Sequence, residues 1–178
     1  MGAIIGHEIS HHFDDEGAQY DLNGNLIKWW SASASVRFEQ KTRCFVNQYE
    51  SIVDRVTGDS LRGTLTLGEN ISDNVGLLAA TLALEDRLKK EGNKGQRLPM
   101  MEHFSPQQLF FLSFAQKNCE HLRLKLRKVI LDRWSHLPNE YRVNVPLRNL
   151  KHFSEAFSCP RGSAMNPNYK CRLFGDDN

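Results

Sequence analysis

His7-Glu8-Ile9-Ser10-His11 holds two histidines four residues apart, with a glutamate beside the first. Residues four apart on a helix face the same way, so both imidazoles can reach one metal ion. Zinc held by two histidines and one carboxylate keeps a fourth position open for water. The metal lowers the pKa of that water to about 7 and polarises a substrate carbonyl. Glu8 stands where it can take the water's proton and later deliver it to a leaving amine. The chemistry expected is hydrolysis by attack of a zinc-bound water. The plainer alternative is a pair of surface histidines. Ile4, Ile5, Ile9 and Phe13 around the motif argue instead for a buried helix. His12 reads as a solvated or supporting residue rather than a ligand.

A third ligand is required. Glu69 and Asp73 are also four apart and share a helix face. One can bind zinc while the other accepts a hydrogen bond from a ligand imidazole and fixes its tautomer. On spacing alone the alternative stays open that Glu69 only stabilises a helix N-terminus. Asn70-Ile71-Ser72 matches a glycosylation sequon, accidental if that helix face is buried. Asp21, Asn23 and Asn25 alternate like a calcium loop. The twelfth position counted from Asp21 is Ala32, which cannot supply the bidentate carboxylate such a loop needs.

The elements that must position these residues are mostly helical. Gly2 to His12 reads as a short helix that runs into the acidic exit Asp14-Asp15-Glu16-Gly17. Asn23-Gly24 signals a tight turn. Ser33 to Tyr49 reads as a second helix. A third begins near Leu67-Gly68 and runs to about Lys90, with Ile71, Val75, Leu78, Leu82 and Leu88 on one broad face. Glu91-Gly92-Asn93-Lys94-Gly95 ends it. A fourth has Ser105 as N-cap, Pro106 at its first position and Gln108 completing a capping box, and it continues, with a possible break, to Leu131. From His136 onward Pro138, Pro146, Pro160 and Pro167 predict a loop-rich region, with a short helical piece around Phe153–Phe157.

The 178 residues suit one domain. A formal net charge of +2 gives no electrostatic footprint for nucleic acid. With a mean hydropathy of -0.51, no apolar run approaches the roughly 20 residues of a membrane helix. The opening Met-Gly-Ala-Ile-Ile-Gly lacks the basic start of a signal peptide. Cys44, Cys119, Cys159 and Cys171 form no Cys-x-x-Cys pair, which leaves distant disulfides or buried thiols equally open.

Several motifs together resemble one family. Gly6-His7-Glu8-Ile9-Ser10-His11-His12-Phe13-Asp14-Asp15, Trp29-Trp30 and Leu67-Gly68-Glu69-Asn70-Ile71-Ser72-Asp73-Asn74 closely resemble the neprilysin and endothelin-converting-enzyme zinc metallopeptidases. Gln108 to Gln116, Phe153 to Cys159 and Met165-Asn166-Pro167 are similar to the same family, in the expected order. The resemblance implies a mainly α fold, the C-terminal catalytic subdomain of a thermolysin-like (gluzincin) zinc peptidase with minor turns or short strands. It implies one Zn2+ on His7, His11 and Glu69, with Glu8 as catalytic base. Asp73 matches the carboxylate that orients a ligand histidine, and Asp14 supports His11 similarly. His136 matches the histidine that stabilises the oxyanion, and Arg142 the arginine that binds the substrate backbone near the scissile bond.

The resemblance also pairs Cys44 with Cys171, and pairs Cys119 and Cys159 with cysteines far upstream. It places residues 1–178 as the C-terminal portion of a longer catalytic domain, without the N-terminal lobe, the membrane anchor and the substrate-aligning strand. The implied partners are peptide substrates and that lobe. The implied location is the extracellular face of the plasma membrane or the secreted medium. Lys117-Asn118 stands where the family commonly places apolar pocket residues, and Phe174 where it usually ends on Trp. Two functions follow: a zinc metalloendopeptidase, or a non-catalytic fragment that binds zinc or a partner without turnover. A helical interaction domain with a fortuitous metal motif is a third.

Overall fold

The computed structural model describes residues 1–92 and 97–175. Among them the chain forms seven α-helices and isolated β-bridges, but no extended sheet. The helices are α1 (Gly2–Ser10), α2 (Ala32–Glu50), α3 (Leu67–Lys90), α4 (Pro106–Lys117), α5 (Leu124–Arg133), α6 (Asn139–Asn149) and α7 (Lys151–Ala156). This is the mainly α fold expected. Asn93 to Gly95 of the expected stop after α3, and the final Asp176-Asp177-Asn178, lie outside the described residues.

Local chemistry accounts for the helix starts. Ser31 Oγ accepts from Ala34 N at 3.2 Å and opens α2. Ser105 and Gln108 exchange both bonds of the expected capping box at 3.1 and 2.9 Å, with Pro106 at the first position of α4. The expected break falls between Asn118 and Arg123, after which α5 begins.

The core has two clusters. Phe45, Tyr49, Leu61, Ile71, Leu131, Tyr141, Val145 and Leu173 form the first. Leu77, Phe111, Phe114, Val143, Leu147 and Leu150 form the second. α3 and α6 contribute to both and so tie the molecule together. The expected loop-rich region after His136 is corrected by α6. Its buried residues include Tyr141, Val143, Val145, Pro146 and Leu147. A helix buried nearly all round shows no amphipathic stripe, and Pro146 inside it hides it further.

α1 packs along α3. The contact is glycine on glycine. A Cβ built on Gly76 would stand 2.4 Å from His7 N, and one on Gly6 would stand 2.9 Å from Gly76 O. Two bare backbones meeting here let α1 and α3 approach closely. The opposite face of α1 is not buried as expected. Ile4, Ile5 and Phe13 are exposed and Ile9 is 60% exposed. α1 buries Ser10 and sets Gly6 against Gly76, while its isoleucines face outward. Cys44 and Cys171 form the expected disulfide, with Cα atoms 5.7 Å apart. No described helix is long and apolar enough to cross a membrane.

Candidate metal centre and active site

α1 presents His7, the 3-10 turn that follows it (His11–Phe13) presents His11 beside it, and α3 presents Glu69 and Asp73 opposite them. His7 Nε2 lies 3.1 Å from His11 Nε2 and 3.3 Å from Glu69 Oε2. His11 Nε2 lies 3.7 Å from Glu69 Oε1. Three donor atoms thus converge in one place. Ligands about 2 Å from a tetrahedral zinc stand roughly 3.3 Å apart, so the spacing and the two-imidazole, one-carboxylate donor set fit that ion.

Each imidazole is held from behind. Asp14 Oδ2 lies 2.7 Å from His11 Nδ1, and Asp14 Oδ1 accepts from Glu16 N and Gly17 N at 2.9 and 2.7 Å. Ser72 Oγ lies 3.2 Å from the same Nδ1. Asp73 Oδ1 is 3.0 Å from His7 Nδ1, an ion-pair contact whose angle departs from a straight hydrogen bond. Such carboxylates fix ring orientation and raise ligand basicity. Asn70 is buried, its amide donating to Thr66 Oγ1 at 2.8 Å, so its sequon lies on an inaccessible face.

Arg142 and His136 reach the same place. Arg142 on α6 donates from Nε and Nη2 to both oxygens of Asp73 at 2.7 and 2.9 Å, and from Nη2 to Glu69 Oε2 at 3.3 Å. His136, in the loop between α5 and α6 and 50% exposed, places Nε2 3.1 Å from Glu69 Oε2. Glu8 follows His7 on α1 and is exposed. His12 is exposed. Lys117 Nζ lies over the Phe114 ring at 5.4 Å, and Asn118 Nδ2 donates to Phe114 O at 3.0 Å.

Electrostatics follow from this crowding. Burial lowers the His7 pKa, but the Asp73 and Glu69 carboxylates outweigh it and hold it at about 9. Burial pushes Glu69 and Asp73 up, yet His7 and Arg142 hold both below the usual carboxylate range, with His136 acting also on Glu69.

Two features escape the sequence. Gly76 sets the distance between α1 and α3, and nothing marks it out from other glycines. Asp54 is fully buried and accepts from Arg127 Nε at 2.8 Å and from Tyr141 OH at 2.9 Å, linking α5 to α6 on either side of His136. A buried aspartate in a polar loop carries no signal in one sequence.

Helices crossed to join two histidines and a carboxylate define a helical zinc-site class of fold. The chain matches the model of peptidase family M13 over residues 1–173, and it belongs to that family. It is 44% identical over 175 residues to Neprilysin-21 of Caenorhabditis elegans, covering 98% of this chain and 23% of that protein. It is 44% identical over 174 residues to endothelin-converting enzyme 1 of Mus musculus, covering 98% of this chain and 22% of that one. The crystal structure of the Mycobacterium tuberculosis zinc metalloprotease ZMP1 with an inhibitor superposes with a TM-score of 0.85 at 33% identity, covering 96% of this chain and 26% of that chain. The chain therefore spans less than a quarter of the length of these curated relatives.

Proposed function

We propose that this chain carries the zinc site of a metalloendopeptidase that hydrolyses peptide bonds of oligopeptides. The observation that carries the reading is the convergence of His7 Nε2, His11 Nε2 and a Glu69 carboxylate oxygen in a chain of peptidase family M13. These three residues would hold one Zn2+. The ion, when bound, supplies a Lewis acid for the substrate carbonyl and a water of lowered pKa. Glu8, exposed beside His7, acts as general base, takes the proton of the attacking water and returns it to the leaving amine. Asp73 and Asp14 hold His7 and His11 in orientation. His136 and Arg142 donate to the negative charge that develops on the carbonyl oxygen. Asp73 and Glu69 engage Nε and Nη2 of Arg142, so the substrate contact falls to Nη1. In this reading residues 1–178 are the C-terminal portion of a larger catalytic domain, whose N-terminal lobe is the partner. The Cys44–Cys171 disulfide supports an oxidising, extracellular setting, at the cell surface or in secretion.

A second reading is zinc or partner binding without turnover. It is favoured by the exposed isoleucines of α1, a surface that a partner could cover.

Elemental mass spectrometry on the purified chain tests the site. One zinc per chain, lost in Glu69→Ala, is expected, and a chain that binds none overturns the site. Cleavage of a peptide library, abolished in Glu8→Gln, then separates the two readings.

A further inference from the structure

The near-neutral net charge of this chain conceals an uneven surface. α2 carries two adjacent stripes at helical spacing, Val36, Gln40, Arg43, Asn47 and Arg37, Lys41, Cys44, Gln48. These stripes form one wall of two adjoining cavities of about 750 and 770 Å3. The cavities share Gln40, Cys44, Pro167 and Tyr169. Arg43 and Arg148 line the first, and Arg37, Lys151, Arg161 and Lys170 line the second. Glu39 and Glu155 are the acids among the lining residues, and Glu155 pairs with Lys151 at 3.3 Å.

We propose that this groove binds a sulfated polysaccharide, a linear chain of closely spaced anionic groups. Four observations carry it. A concave wall in which cations outnumber acids concentrates the field and raises the local concentration of anions. Arg43 in the first cavity and Arg161 in the second are exposed and present guanidinium groups to the groove. Such a fork suits the oxygens of a sulfate or a carboxylate. Tyr169, 76% exposed at the junction of the two cavities, offers a ring face to a sugar. The Cys44–Cys171 disulfide lines the groove, which assigns it to an oxidising compartment, where repeated anions are carried on sulfated glycans rather than on nucleic acid. Lys170 fits the same account. Burial and the neighbouring Arg172 hold its ammonium below the ordinary lysine range, as crowded cations require. The groove shares no residue with the His7–His11–Glu69 cluster, so its test is independent of the zinc reading.

The full chain is titrated with a heparin-derived octasaccharide by calorimetry at low and at physiological salt. Binding is expected to weaken steeply as salt rises, because each contact releases a counterion. Arg43→Gln combined with Arg161→Gln should lower affinity by about tenfold or more. Both side chains are exposed, so folding, checked by circular dichroism, should be kept. Arg87→Gln combined with Arg133→Gln removes the same charge elsewhere and should change affinity by less than about twofold. No binding at low salt, or an equal loss in both double variants, overturns the proposal. Equal or tighter binding of a single-stranded DNA octamer overturns the assignment to a glycan.

Discussion

At the residue scale the site is a competition between protons and metal. In the metal-free chain His7 holds its proton up to about 9 because Asp73 and Glu69 surround it. Binding zinc must displace that proton. Below pH 9, zinc affinity should therefore fall about tenfold for each unit of pH, measured by competition with a chelator. The sign for stability is opposite. A folded pKa raised above the unfolded value of about 6.5 stabilises the metal-free chain fully below that value. That contribution should disappear as pH rises from there through about 9, visible as a falling thermal midpoint with chelator present. In the proposed mechanism Glu8 and His136 act on charge that forms during the reaction. Glu8→Gln should keep zinc and lower kcat by about 100-fold or more. His136→Gln should lower kcat by about 100-fold, with KM little changed, in steady-state cleavage assays.

At the element scale, two packing devices decide whether those residues meet. The first is the α1–α3 crossing. A methyl group on Gly76 would drive into the backbone of Gly6 and His7. Gly76→Ala should cost roughly 1–3 kcal/mol in denaturant unfolding and weaken zinc binding along with it, because His7 moves away from Glu69. The second is Asp54. Its carboxylate accepts from Val56 N and Thr57 N at 3.0 and 2.7 Å, as well as from Arg127 and Tyr141. Burial raises its pKa, but these partners outweigh it and hold it well below the carboxylate range. A depressed folded pKa gives stability that is present above the unfolded value of about 3.9 and is lost as pH falls below it. Asp54→Asn should cost about 3 kcal/mol at neutral pH, since it removes the buried charge partner of the nearly buried Arg127 and leaves it only the exposed Glu140. It should also flatten the acid limb of the stability profile.

At the scale of the whole molecule, the Cys44–Cys171 bond joins residues 127 apart in sequence and staples the C-terminal segment onto α2. Closing so long a loop is worth about 4–5 kcal/mol in the chain-entropy account. Reduction should lower the urea midpoint accordingly, measured with the metal site chelated so that only the staple changes. α1 meanwhile leaves Ile4, Ile5 and Ile9 on the surface. Such a patch on an isolated chain promotes association. Ile5→Ser with Ile9→Ser should shift sedimentation toward monomer and change stability by less than about 0.5 kcal/mol.

Much of the site was legible in the residues. Four-residue spacing fixes which side chains share a helix face, so it pairs His7 with His11 and Glu69 with Asp73 without reference to the fold. Capping rules likewise placed the start of α4, because both partners lie within one turn. These are local effects, and a linear sequence carries local effects directly. Three things were not legible. The isoleucines of α1 point to the wrong buried face, whereas the Gly6–Gly76 contact turns its small side inward. α6 was hidden because a helix buried all round loses the period of 3.6 that reveals amphipathic ones. Asp54 gained its role only when α5 and α6 closed over it. The sequence by itself determined the donor atoms and their arrangement within each helix. The tertiary structure decided that the helices cross where those donors converge and that Arg142 and His136 arrive beside them. The physical reason is that such contacts depend on close packing between segments distant in the chain, where the absence of a side chain matters as much as its presence.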